Sequence, residues 1–280
     1  MALTFRVPSS LEYFGNLVAR DDELPLLEAA ACLAQDEYPE LDVEQVLADV
    51  DRLLERARRR AAVGAEPLER VQALGQFFFS DLGFGGNLND YYNPDNSYLH
   101  RVLQTRRGIP ISLALLWLEL ARGLGVEAEG ISFPGHFLMR VNLDGGMLVL
   151  DPMNGQSLGR DDLRLRIEEW QPRLPAAPNG DLPLTAFLQA CTPRQMLTRM
   201  LRNLQDIHRS QHDWPRLVAV QDRLIVLLPQ AWEEYRERGL ALADQGERRR
   251  AAADLDRYLR ERPAAQDHDA VAERRASLGD

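Results

Sequence analysis

Along residues 41–60 apolar side chains return at helical intervals: Val43, Leu47, Val50, Leu53 and Leu54, with acids and arginines between them. That spacing predicts an amphipathic helix. The cationic run Arg56-Ala57-Arg58-Arg59-Arg60 suits its C-terminus, where positive charge meets the helix dipole. Residues 68–79 repeat the pattern as a second helix. Residues 97–105 read as a short helix and 111–123 (ISLALLWLELARG) as one that is apolar on all sides, which predicts burial. Pro110 stands in the first turn of that helix, where its missing N–H costs nothing.

Three short apolar runs follow, at 126–133, 136–142 and 147–150. The last two are separated by Asp144-Gly145-Gly146, as a hairpin turn would separate them, so an antiparallel strand set is expected. The stretch 83–96 (GFGGNLNDYYNPDN) is a loop by composition, unusually aromatic for a linker. A Pro-rich stretch, 171–183, marks a boundary, and from Pro193 onward the chain reads as helices. Pro229 and Pro263 stand 34 residues apart, the tetratricopeptide period. In that register Tyr235, Gly239 and Ala251 take the large, glycine and small positions of one unit. Leu201, Gln205 and Leu217 take them in the preceding unit, where the glycine is lost. A tetratricopeptide-like array is favoured over a generic helical hairpin because period and helix pairing agree.

The length of 280 residues allows one large domain or two ordinary ones. The charged set is 43 acids against 33 cations, net −10, and every cation is arginine because the chain has no lysine. A Schiff-base or Walker-type lysine is thereby excluded. General binding to a phosphate backbone is disfavoured by the net charge. Cys32 and Cys191 are too few for a disulfide framework. Cys32, on a small-residue helix face, reads as a packing residue. His208 and His212 have helical spacing without the glutamate of a zinc protease, so no metal and no cofactor are expected. The most apolar stretch, 109–121, is too short to span a bilayer, and the N-terminus lacks a signal-peptide pattern. A cytoplasmic protein without membrane or nucleic-acid partners is expected.

The chemistry centres on His136, which opens a strand in Pro134-Gly135-His136-Phe137. Asp151 closes the next strand, and a hairpin brings such ends together. A histidine oriented by an aspartate is the base-and-orienter half of a nucleophilic site. Upstream, Ser112 stands at the N-terminus of the buried helix, which gives the order Ser112, His136, Asp151. Two readings of each residue stand. Ser112 is a nucleophile, or it satisfies free N–H groups in the first helical turn. His136 and Asp151 are the remainder of a reactive site, or a structural pair pinning two strand ends. Around them, Asn93, Asp95 and Asn96 line a cleft or close local turns, and Tyr91, Tyr92 and Tyr98 form a binding wall for an extended peptide or pack at the core or its rim. Arg106 and Arg107 hold a carboxylate or lie in solvent.

The run NDYYNPDNSYLHRVLQTRRGIPISLALLWLELARGLG, then FPGHFLMRV and LDPMNG, resembles one bacterial family. Its members join a transglutaminase-like core to C-terminal tetratricopeptide-type repeats. They are of the SirB type, described as regulators of invasion-gene expression. The resemblance covers about residues 12–263. It implies an α+β fold: a mainly helical, papain-like core with a small antiparallel sheet, followed by an all-α repeat region. The expected limits are 1–170 for the core domain (helical over 1–96, then the core proper over 97–170), 171–192 for a linker and 193–280 for the repeats. It implies that His136 and Asp151 match the catalytic His and Asp of classical transglutaminase-like enzymes, with Asn154 joining the cleft. It also places Ser112 within about one residue of their nucleophilic cysteine. A thiol ionises far more readily than a hydroxyl, so this departure weakens the catalytic expectation. The expected function is therefore a regulatory module that binds a protein or peptide. The alternative is an amide hydrolase or acyl transferase using Ser112, His136 and Asp151.

Overall fold

The computed structural model describes residues 8–60, 62, 64–170 and 183–279. They form two compact units.

The core unit comprises 26–31 and 42–196. Its centre is α6, here numbered in chain order after α1 (Ser10–Leu17), α2 (Leu26–Cys32), α3 (Val43–Arg60), α4 (Pro67–Gly75) and α5 (Leu99–Thr105). Helix α6 runs Pro110–Gly123 and is buried on nearly every side, from Pro110 to Trp117 and again at Leu120 and Ala121. Such a helix has no polar face to offer water, so the other elements must wrap it. Helix α3 supplies one wall with Val43, Val46, Val50, Leu53 and Ala57, leaving Leu47 and Leu54 half-buried. At Gly123 a Cβ would fall 2.5 Å from Leu54, so the glycine permits this approach. Helix α4 runs on into a π-helical turn, Gln76–Asp81.

The expected antiparallel set is present as β3 (Ala128–Ile131), β4 (Leu138–Leu143) and β5 (Gly146–Leu150), in the order β3-β4-β5. A further parallel pair joins β1 (Gly85–Gly86) to β2 (Arg107–Gly108). The hydrophobic pattern gave no sign of it, since two-residue strands have no period. The sheet packs Ile131, Phe133, Leu138 and Val149 against Leu163 of α7 (Arg160–Trp170).

The expected linker 171–192 divides. Residues 171–182 lie outside the described residues. Residues 183–192 are no loose linker: Leu188 is buried in the same cluster, and Cys191 donates its N–H to Gly130 O at 2.8 Å. Apolar side chains at Leu184, Phe187 and Leu188 draw this segment onto the sheet.

The helical unit contains α9 (Trp214–Leu227), α10 (Trp232–Gln245), α11 (Arg248–Glu261) and α12 (His268–Ala276), with α8 (Pro193–Ser210) from residue 197 on. Gly239 does what the repeat register requires. A Cβ there would lie 2.7 Å from Leu255 and 3.2 Å from Ala251 O, so α10 and α11 meet at this point. In the preceding unit Gln205 replaces the glycine and is buried, donating to Glu234 Oε2 at 3.1 Å.

One expected boundary changes. Residues 8–25 and 32–41 belong to the helical unit, not to the core. The cause is local chemistry. Phe14 of α1 is fully buried beneath the Arg223 guanidinium of α9, 5.1 Å from its ring centroid. Asp36 pairs with Arg223 at 2.8 Å and Glu37 with Arg216 at 2.6 Å. Helix α1 itself starts with a capping box, in which Ser9 Oγ accepts from Glu12 N–H and the Glu12 carboxylate accepts from Ser9 N–H. Cys32 is fully buried, and among the described residues neither cysteine forms a disulfide. No helix among the described residues is long and apolar enough to cross a membrane.

Candidate functional site

The β4–β5 register sets Met139 opposite Leu150. Asp151 therefore falls one step past the paired end of β5, within reach of the residues leading into β4. His136 Nε2 lies 3.0 Å from Asp151 Oδ1. Oδ1 also accepts the Met153 N–H at 3.0 Å, and Oδ2 accepts from Arg166 Nη2 at 2.9 Å. The carboxylate is 5% exposed, so three donors serve one buried anion. Burial pushes the Asp151 carboxyl up. The His136 hydrogen bond and charge, the Met153 N–H and Arg166 outweigh that and hold it down at about 2. At neutral pH the ionised Asp151 only accepts, so Nε2 carries the imidazole proton when the ring is neutral. Nδ1 is then the basic nitrogen, and His136 makes no side-chain hydrogen bond besides that to Asp151 among the described residues.

The supporting shell comes from places that the hydrophobic pattern does not mark. Helix α7 contributes Arg166 and, at its end, Trp170. Gly135 has φ +68°, and a Cβ there would sit 1.8 Å from Trp170 Cε2. The turn after Asp151 is gripped from two sides. Phe79 lies against Gly155 (φ +74°), where a Cβ would meet its ring at 2.3 Å. Met153 lies against Gly86, whose N–H donates to Met153 O at 3.0 Å. Asn154 is exposed and closes the turn, its Oδ1 accepting from Gln156 N–H. The leucine and isoleucine spacing of Leu163 and Ile167, after two acids at 161–162, was the available signal for α7.

Ser112 does not join this group. It is fully buried, and its Oγ accepts from Ile109 N–H at 3.1 Å. The hydroxyl proton is committed to Asn96 O at 2.6 Å, with Ile109 O 3.0 Å away. The Ser112–His136 hydrogen bond that a nucleophilic Ser112 needs is absent, and the helix-terminus reading of Ser112 is the one the geometry matches. In physical terms α6 has no polar residue immediately before Pro110, so Ser112 reaches back and shares the Ile109 N–H with Asn96 O. Close approach of Gly108 completes the fit, a Cβ there falling 2.7 Å from Ser112 Oγ.

The loop residues assemble around Asn96. Its Nδ2 donates to Asp90 O (2.6 Å) and Tyr91 O (3.2 Å), and its Oδ1 accepts from Asn87 at 3.0 Å. Asn93 bridges Asp90 and the Asp95 N–H, while Asp95 pairs with Arg101 at 2.9 Å. These side chains close turns, whereas Tyr91 and Tyr92 are exposed. Neither arginine is a free carboxylate clamp. Arg107 Nη1 donates to Gly83 O at 2.6 Å, and the Arg106 guanidinium lies over the Phe84 ring at 4.6 Å.

The core unit thus holds a histidine–aspartate pair at the end of a β-hairpin together with a buried helix, joined in sequence to helical hairpins. Comparison with known proteins agrees. Residues 44–202 match the family model of the transglutaminase-like superfamily, and residues 204–276 match a tetratricopeptide-repeat model. A UPF0162 protein of Xylella fastidiosa (strain Temecula1) is 39% identical over 264 residues, 93% of this chain and 92% of that one. Another, from Pseudomonas aeruginosa, is 33% identical over 206 residues, 73% of this chain and 72% of its own. The chain belongs to the transglutaminase-like superfamily and, within it, to the UPF0162 proteins. A shorter likeness, 50% over 70 residues, links 25% of this chain to 11% of human F-box only protein 21.

Proposed function

We propose that the protein is a regulatory partner-binding module rather than an acyl-transfer enzyme working through Ser112. The observation that carries this reading is the burial of Ser112, whose hydroxyl is held by backbone groups and makes no hydrogen bond to His136. A serine needs a base within hydrogen-bond reach and room for a carbonyl carbon. The helical unit supports the positive side of the reading, because stacked helical hairpins present extended surfaces to other chains. The partner is a protein or peptide, and nucleic acid is disfavoured by the net charge of −10. The test is intact-mass labelling with a serine-reactive fluorophosphonate. No adduct at Ser112 is expected. An adduct that disappears in both Ser112→Ala and His136→Ala sinks the reading.

One observation favours a second activity at the same place. Among the described residues His136 Nδ1 has no hydrogen-bond partner while Nε2 is held by Asp151, which is the arrangement of a base that activates water or an incoming nucleophile. Turnover of an ester or amide panel that persists in Ser112→Ala and vanishes in His136→Ala establishes it. Equal background in both variants removes it.

A further inference from the structure

Five consecutive residues of the loop after β1, Leu88 to Tyr92, are exposed. Three are large and apolar: Leu88 is 80%, Tyr92 72% and Tyr91 40% exposed. Single exposed apolar residues are commonplace, but three within five positions of one loop form a patch. The loop is also held still. Asn96, 3% exposed, ties its side chain to Asn87, Asp90 and Tyr91, and its carbonyl accepts from Ser112 and from Ile109 N–H. The two tyrosine rings brace each other edge to face at 5.5 Å. Ordering costs little on binding when the anchors are already fixed, which is how rigid aromatic anchors gain affinity.

Charge narrows the partner. Residues 87–98 contain two aspartates and no cation. Asp95 is engaged by Arg101, whereas Asp90 is exposed at the centre of the patch with one oxygen accepting from Asn93. Position matters as well. The loop springs from Gly86, which is hydrogen-bonded to Met153, and Met153 holds Asp151. The platform and the His136–Asp151 pair therefore belong to the same unit and are linked through Met153.

We propose that Leu88, Tyr91 and Tyr92, with Asp90, form a rigid docking platform for an extended segment of a partner protein. That segment carries an apolar anchor flanked by lysine or arginine. The apolar side chain packs between Leu88 and the tyrosines, and the cation meets Asp90 and the tyrosine faces. The inference rests on the partner-binding reading above and gives it a place.

The experiment pans the full-length protein against a phage-displayed library of random linear peptides. Enriched peptides are then titrated by fluorescence anisotropy. The proteins are wild type, the Leu88→Ser/Tyr92→Ala double variant, Asp90→Lys, and Arg257→Ala in the helical unit, where Arg257 lies over Trp232 and Tyr235. Enriched peptides should pair an aromatic or aliphatic residue with a nearby cation. The double variant should weaken them about tenfold or more, as loss of a hot spot does. Asp90→Lys should weaken them and reduce their salt dependence, and Arg257→Ala should leave them unchanged. The altered loop residues are exposed, so an unchanged melting temperature shows that the fold persists. Peptides without cations, or bound equally by the double variant, overturn the platform. Loss of binding in Arg257→Ala alone overturns the platform while leaving partner binding intact, and no enriched peptide removes both. A concentration-dependent dimer of the wild type that the double variant abolishes assigns the patch to self-association instead and likewise overturns the proposal.

Discussion

Asp151 and Ser112 both stand as candidates for chemistry in the sequence, and their surroundings separate them. Asp151 is a buried anion answered by three donors, so its protonation is a stability event. Its folded pKa, about 2, lies below the ordinary value of 3.8. The associated stability is therefore complete above the unfolded value and is lost as pH falls through about 2. Linkage sets the contribution at about 2 kcal/mol. Acid unfolding followed by circular dichroism should show it, and Asp151→Asn should flatten the curve below pH 4 relative to wild type. Ser112→Ala leaves Ile109 N–H without the hydroxyl acceptor in a dry site. It should lower stability by about 1 kcal/mol in urea unfolding, because Asn96 O still accepts the Ile109 N–H. The His136–Asp151 pairing was legible in the sequence because a hairpin turn fixes which residues face each other. The fate of Ser112 was legible only as two options. Choosing between them required the position of Asn96, which comes from a loop with no periodicity.

Among the elements, α6 and the hairpin followed directly from pattern. An all-apolar helix has one possible environment, and a turn with two glycines has few geometries. Helix α7 did not follow, because it shows five charges in its first seven residues and lies against a Pro-rich stretch. Yet Arg166 and Trp170 of that helix set the position of the pair. Arg166→Ala should loosen His136, visible as an altered imidazole resonance in NMR, with little change in global stability because Arg166 is a third exposed. The repeat helices make a sharper case. Gly239→Ala places a methyl against Leu255 and a backbone oxygen, and should cost about 1–3 kcal/mol in the helical unit. In α8, burial lowers the pKa of His208, opposed by Asp213 and Glu37 and aided by Arg216. A depressed histidine is neutral in the fold, so stability is present above the unfolded value near 6.5 and falls as pH drops through the histidine range. His208→Gln should remove that slope from thermal melts taken between pH 7 and 5.

For the whole molecule, two units were expected, and two are found, but the N-terminal segment changed sides. A hydrophobic pattern assigns a segment to its neighbours along the chain. Here the deciding groups, Arg216 and Arg223, lie about 180 residues further on and look like ordinary arginines of an amphipathic helix. Arg223 is 1% exposed. Arg223→Ala uncovers Phe14 and strips Asp36 of its partner, and should destabilise the helical unit by roughly 1–3 kcal/mol. Hydrogen exchange should rise first in α1.

That long-range closure has a consequence during synthesis. Helix α1 leaves the ribosome early, whereas α9 is translated about 200 residues later, roughly 10–40 s at bacterial elongation rates. The core has every residue it needs in hand well before α9 exists. Throughout that interval Phe14 has no cover from Arg223. The nascent chain therefore carries a sticky, uncovered α1, and the window ends only when α9 emerges.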